Sequence, residues 1–194
     1  MSRQILVVVQ GGSATGKTTL VKKLSTDLEL YALTKDNFKE MMYDVLGIPK
    51  DREESTLYGL AATKALYAAA DTFLDAQEGV IIESAFNKKF ALEDIHQLIL
   101  GKNVQLLQIH VTASPEVRLQ RYNDRILSGE RHKGHPDGVG AYTIESFSSD
   151  GLKYGKLDID DTVEVDTDNF DDSDYAKLLS SMKTMIGDIN EATN

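Results

Sequence analysis

The chain has 194 residues, 41% of them apolar and 27% charged, the balance of one ordinary globular domain rather than a disordered or fibrous protein. It has no cysteine, which excludes disulfides, zinc–thiolate sites, iron–sulfur clusters and cysteine nucleophiles, and its longest apolar run (Ala65 to Ala70) is too short for a membrane span or a signal-peptide core, so a cytoplasmic location without membrane attachment is expected. The net charge of −10 counts against a long polyanion, because a nucleic-acid binder must replace the counterions along phosphates; a small anion in a local basic pocket remains compatible with it.

Ile5 to Val9 is a continuous, β-branched-rich apolar run that ends at Gly11-Gly12, as expected of a strand buried on both faces in a parallel sheet. Leu20, Val21, Leu24 and Leu28 place a helix over 17–28. Leu30 to Leu33 predicts a second strand. Asp36 is expected to cap a helix reaching Leu46, which Gly47 and Pro49 stop. Glu53 to Ala76 predicts a long alanine-rich helix, Val80 to Ile82 a third strand ending at Glu83, and 90–100 a helix. Val104 to Val111 predicts a fourth strand. Ser114 with Pro115 then opens a helix to about Leu127. Ser128 to Gly140 holds four glycines and a proline and is expected to be a loop. Thr162 to Val165 predicts a fifth strand and 172–187 a last helix. Strands alternate with helices without repeat or linker, so an α/β fold with a five-stranded parallel sheet is expected over 1–194 as a single domain.

Gly11-Gly12-Ser13-Ala14-Thr15-Gly16-Lys17-Thr18 fits the P-loop pattern G-x-x-x-x-G-K-[ST]. Glycines let successive main-chain N–H groups point inward at phosphate oxygens, and the helix that follows adds its positive end. Lys17 is expected to reach the β- and γ-phosphates, and the Thr18 hydroxyl to bind Mg²⁺. The context, a buried strand before and an amphipathic helix after, is the one the motif requires. Gly11 to Thr18, with Thr19, are the expected ATP contacts.

This order of strand, P-loop, helix, and strand ending in an acid, followed later by an arginine-rich helix and loop, resembles the small P-loop kinases. The similarity is greatest to the ATP-binding kinases grouped with polynucleotide kinase and the zeta-toxin-type kinases. The resemblance spans nearly the whole chain and implies a three-layer P-loop NTPase fold with a lid, here about 118–140. Asp36, in Thr34-Lys35-Asp36-Asn37-Phe38-Lys39, sits where such kinases carry an acid, outside the carboxyl end of a strand. It could orient the acceptor hydroxyl and take its proton. Polynucleotide kinases have Arg three residues later, where this chain has Lys39. Glu83 stands in the Walker B position and could serve either Mg²⁺ or the acceptor.

Four of the six arginines, Arg118, Arg121, Arg125 and Arg131, fall within fourteen residues. The first three are spaced i, i+3, i+7, on one helix face, and Arg131-His132-Lys133-Gly134-His135 follows. In the resembled kinases a lid brings arginines onto the transferring phosphoryl group and excludes water. That implies catalytic roles for Arg121 and Arg125 beside Lys17 and Asp36, and a nucleotide contact for Arg118. The loop after the fifth strand passes the adenine in those kinases, which makes Thr167 a candidate for base contact. His132 and His135 lack a third ligand at metal spacing.

The leading expectation is transfer of the γ-phosphoryl of Mg–ATP to the hydroxyl of a small molecule. A polynucleotide 5′-hydroxyl kinase and a non-kinase ATP-binding switch or ATPase are the alternatives. A GTPase is disfavoured by the absence of N-K-x-D. A nucleoside-monophosphate kinase is disfavoured because Arg52 is the lone arginine between 36 and 90.

Overall fold

The computed structural model describes residues 4–129, 131–135 and 141–191. The elements run β1 (Gln4–Gln10), α1 (Lys17–Asp27), β2 (Tyr31–Thr34), α2 (Lys35–Leu46), α3 (Arg52–Asp75), β3 (Val80–Ser84), α4 (Lys88–Ile99), β4 (Val104–Thr112), α5 (Pro115–Leu127), α6 (Ile144–Ser149), α7 (Gly151–Tyr154), β5 (Thr162–Asp166) and α8 (Asp172–Glu191). The sheet order is β2-β3-β1-β4-β5, and every strand pair is parallel.

The alternation of side chains along β1 divides the core in two. Leu6 and Val8 face one layer with Val80 and Ile82, covered by Leu66, Leu74 and Ile95 of α3 and α4. Val7 and Val9 face the other with Ile81, Leu107 and Ile109, covered by Leu20 and Leu24 of α1 and Leu178 and Met182 of α8. Both faces of the central strands are thus dry, the condition that favours uninterrupted apolar runs. Each fully buried Leu or Ile contributes roughly 1.5–3 kcal/mol.

Two buried glutamines staple a later segment to this sheet. Gln108 of β4 accepts from the Leu157 amide at 2.9 Å and donates to the Leu157 carbonyl at 3.1 Å. At the end of β1, the Gln10 side-chain oxygen accepts from the Phe86 amide at 2.7 Å. Its amide nitrogen lies 2.8 Å from the Phe86 carbonyl and 3.0 Å from those of Tyr154 and Gly155. The loop after β3 and the end of α7 are therefore pinned to the central strand.

Three local readings are corrected. β2 runs straight into α2, so Thr34 occupies the cap position and Asp36 lies inside the first turn rather than capping it. The long helix starts at Arg52, because the Asp51 side chain accepts from the Glu54 amide at 2.9 Å. Between the glycine-rich stretch and β5, α6 and α7 form, α6 opening on a reciprocal Thr143–Ser146 capping box. Of the expected 128–140 loop, residues 130 and 136–140 lie outside the described residues.

Candidate nucleotide and acceptor site

Because all strands point the same way, the residues that follow them gather at one edge of the sheet. The P-loop follows β1, Asp36 follows β2, Glu83 is the penultimate residue of β3, and Thr167 follows β5. A cleft of about 960 Å³ opens there, lined by Lys17, Thr18, Asp36, Glu83, Arg121, Arg125 and Thr167, together with Arg131 and His135.

The phosphate loop is built for close approach. A side chain at Gly11 would place its Cβ 2.2 Å from the Val111 carbonyl oxygen. Gly16, at φ 87°, turns the chain into α1. Ala14 also adopts the left-handed region, at φ 61°, at a cost of roughly 1–2 kcal/mol for an alanine. The loop is braced from behind. Thr15 donates to the Gly12 carbonyl at 3.1 Å. The Thr167 hydroxyl lies 2.9 Å from the Thr15 carbonyl and 3.0 Å from that of Thr112. Arg121 grips Thr167 through the hydroxyl at 2.9 Å and the carbonyl at 2.6 Å.

Lys17 is buried, donating to the Gly12 carbonyl at 2.7 Å and lying 3.7 Å from Glu83. Burial pushes its ammonium below the usual lysine range, opposed by Glu83 and then Asp36, with Arg118 and Arg125 adding to the lowering. Burial likewise pushes the Glu83 carboxyl up, opposed by Lys17 and reinforced by Asp36. Both groups lean toward neutrality because each is short of counter-charge in a dry site. A triphosphate in the cradle would supply Lys17 with that charge. Thr18 donates to Glu83 at 3.3 Å, so a hydroxyl and a carboxylate converge beside the cradle. Among the described residues no set of three His, Asp or Glu side chains gathers as a metal site. Mg²⁺ takes one or two protein oxygens plus phosphates and water, and the Thr18 hydroxyl and Glu83 carboxylate form such a pair beside the cradle.

The arginine face divides. Arg121 and Arg125 line the cleft, but Arg118 does not. Arg118 is buried, and its fork donates to the Ser13 carbonyl at 2.8 Å, the Phe147 carbonyl at 3.0 Å and the Asp150 carboxylate at 2.5 Å. Helical spacing put the three together, yet Arg118 ties the P-loop to α6. Arg118, expected as a nucleotide contact, here supports the loop's own backbone. Thr167, similarly, has its hydroxyl committed to the loop and to Arg121.

The described part of the lid stretch, 131–135, rests on α2. His132 accepts from the Gly134 amide at Nδ1, at 3.0 Å, which leaves Nε2 as the donor to Asp44 at 3.1 Å. His135 Nε2 lies 3.0 Å from Glu40. Tyr43 stacks on His132 at 5.6 Å and meets His135 edge-on at 5.4 Å. Gly134 sits so close that a Cβ there would be 2.2 Å from the Tyr43 ring. The Arg131 guanidinium lies 5.2 Å from the centre of the Tyr122 ring of α5. Burial lowers the His135 pKa below the usual 6.5, with Arg131 adding and Glu40 opposing. No sequence signal marked Glu40, Tyr43 and Asp44 as partners of the two histidines, although their i, i+3, i+4 spacing on α2 puts them on one face.

A second cavity, of about 1190 Å³, adjoins the first and shares Lys35, Lys39, Ser84, Ala85, Tyr142 and Tyr154 with it. Its walls come from α2, the start of α3, the 84–91 segment and α7. Sequence reasoning found Phe86 and Lys39 but not Tyr142 or Tyr154, which arrive on the turn before α6 and on α7.

Comparison with known proteins agrees with this architecture. A structure described as that of a "putative kinase" from Chloroflexus aurantiacus is 34% identical, with a TM-score of 0.85 over 94% of this chain and 98% of that one. A gluconokinase from Sinorhizobium meliloti shares the fold at 15% identity, with a TM-score of 0.61 and full coverage of both chains. So does the Mycobacterium tuberculosis APS kinase in complex with AMPPNP and APS, at 12% identity, a TM-score of 0.62, and 94% and 99% coverage. No curated relative matches in sequence. No helix among the described residues is long and apolar enough to cross a membrane. The AAA domain family model (AAA_33) matches residues 6–148, and with the 34% identical structure covering almost the whole chain, the protein belongs to that family of P-loop proteins with the kinase fold.

Proposed function

We propose that the protein is an ATP-dependent phosphotransferase that moves the γ-phosphoryl group to a hydroxyl of a small molecule. The observation that carries this reading is the second cavity, which opens onto the P-loop cleft beside Asp36. A switch or a plain ATPase has no use for an acceptor chamber there. The net charge of −10 speaks against a polynucleotide as acceptor.

In this reading Gly11 to Thr19 hold the phosphates, and Lys17 sits at the β,γ end. Thr18 and Glu83 are the residues that would hold Mg²⁺, which supplies neutralisation of phosphate charge when bound. Asp36 accepts the proton of the acceptor hydroxyl as its oxygen bonds to the γ-phosphorus. The bridging P–O bond breaks, and ADP leaves with the electron pair. Arg125 and Arg131 face the charge that spreads onto the transferred group. Arg118 holds the loop from behind, and Arg121, bonded to Thr167, lines the same cleft.

The reading is tested by measuring ADP release with Mg–ATP across nucleosides, sugars, sugar nucleotides, aminoglycosides and 5′-hydroxyl oligonucleotides. Acceptor-dependent ADP release is the expected result. ATP hydrolysis that no alcohol accelerates would favour the switch or ATPase.

A further inference from the structure

The acceptor cavity is basic in a chain that is acidic overall, with a net charge of −10. Of its lining groups, Lys64 is paired with Asp94 at 3.2 Å, and the Asp51 carboxylate is committed to capping α3. Lys35, Lys39, Lys50, Arg52 and Lys153 are the other charged residues of the lining. Lys35 and Lys39 also border the nucleotide cleft, so ATP could account for them. Lys50, Arg52 and Lys153 line the second cavity alone and have no place beside the triphosphate. They come from two parts of the chain: Lys50 and Arg52 flank the Asp51 cap of α3, and Lys153 lies on α7. The opposite wall carries Tyr67, Phe86 and Phe90, and Gln10 pins Phe86 through both its amide and its carbonyl.

We infer that the acceptor is a small alcohol bearing an anionic group, phosphate or carboxylate, which Lys50, Arg52 and Lys153 hold while the hydroxyl is presented to Asp36. This rests on the phosphotransferase reading and names its substrate class. Lys50, Arg52 and Lys153 are exposed side chains lining the second cavity, free to swing onto a bound anion, and charge-assisted contacts to such a group are the strong ones.

The test uses matched probes with Mg–ATP: glycerol and glycerol 3-phosphate, ribose and ribose 5-phosphate, glucose and gluconate. The anionic member of at least one pair should be used with a kcat/KM higher by about 10²-fold, at roughly tenfold per charge-assisted contact. The phosphate and carboxylate arms identify which anion the site takes. In the variant K50Q/R52Q/K153Q the KM for that probe should rise by about 10–100-fold on the same arithmetic, with kcat and the thermal shift caused by ATP nearly unchanged. Where no probe is turned over, NMR line broadening of the same probes with AMP-PNP present decides, and the anionic members should broaden in wild type but not in the variant. Equal use or binding of neutral and anionic partners, no binding of any anionic probe, or an unaltered KM in the variant would overturn the inference while leaving ATP binding and transfer to neutral alcohols intact. An absence of any ATP-induced shift in wild type would instead remove the phosphotransferase reading, and this inference with it.

Discussion

The floor of the cleft and the loop resting on its rim are held by opposite kinds of interaction. The P-loop is tied by short bonds from buried groups: Arg118 on the Ser13 carbonyl, Thr167 near the Thr15 carbonyl, and Lys17 on Gly12. The 131–135 segment is held by an exposed His132–Asp44 contact, a part-buried His135–Glu40 contact and the Tyr43 ring, with Lys133 exposed. Buried, multiply satisfied networks open only with large parts of the structure, whereas exposed pairs are worth little and open locally. A cradle that must present fixed N–H groups to phosphate gains from the first. In the proposed reading, a segment that lets nucleotide in and out gains from the second.

The contrast can be broken in order of severity. Lys17→Ala should abolish the thermal shift that ATP gives the wild type, which is about 2.7 kcal/mol at a hundredfold excess over Kd; a full shift in the variant would remove the P-loop from nucleotide binding. Asp36→Asn should keep that shift and lower acceptor-dependent ADP release by about 10²-fold or more, and equal rates would take Asp36 out of the chemistry. Arg118→Ala leaves the Ser13 and Phe147 carbonyls and Asp150 without their donor. Loss of one partner of a buried pair costs about 3 kcal/mol, or roughly 6–12 °C in Tm for a chain of this size. A Tm within 2 °C, on the order of normal surface substitutions, would show that the brace is not needed.

On the rim, Gly134→Ala drives a methyl into the Tyr43 ring. It should lower transfer by about tenfold, one charge-stabilising contact's worth, while Tm moves little. Acidification should give the smallest effect. The His135 pKa is lowered in the docked form, so the undocked form binds more protons below about 6.5. Docking therefore weakens as pH falls through that value. Proteolysis within 131–135 should speed up between pH 7 and 5.5, and should not do so in His135→Gln.

Much of the site was legible from residues close in sequence. The P-loop's geometry is a property of eight consecutive residues, and Glu83 and Asp36 could be placed because a parallel strand delivers its last residue to the ligand edge. Asp36 as a helix cap was misread, because whether β2 and α2 are separated by a cap depends on the register of Thr34 against Glu83. The arginines show the limit most plainly. Spacing makes Arg118, Arg121 and Arg125 equivalent on a helix, but Arg118 meets α6 and the back of the P-loop while the other two meet the cleft.

The sequence by itself determined the alternation of strands and helices, the phosphate cradle and the acids beside it, since each follows from periodicity or from hydrogen bonds within one turn of chain. Only the tertiary structure decided which arginine supports the loop, which glutamine pins the wall of the second cavity, and that lysines and an arginine around positions 39, 50, 52 and 153 share one hollow. Those facts depend on contacts between residues some hundred positions apart, such as Gln10 with Tyr154, which no local pattern encodes.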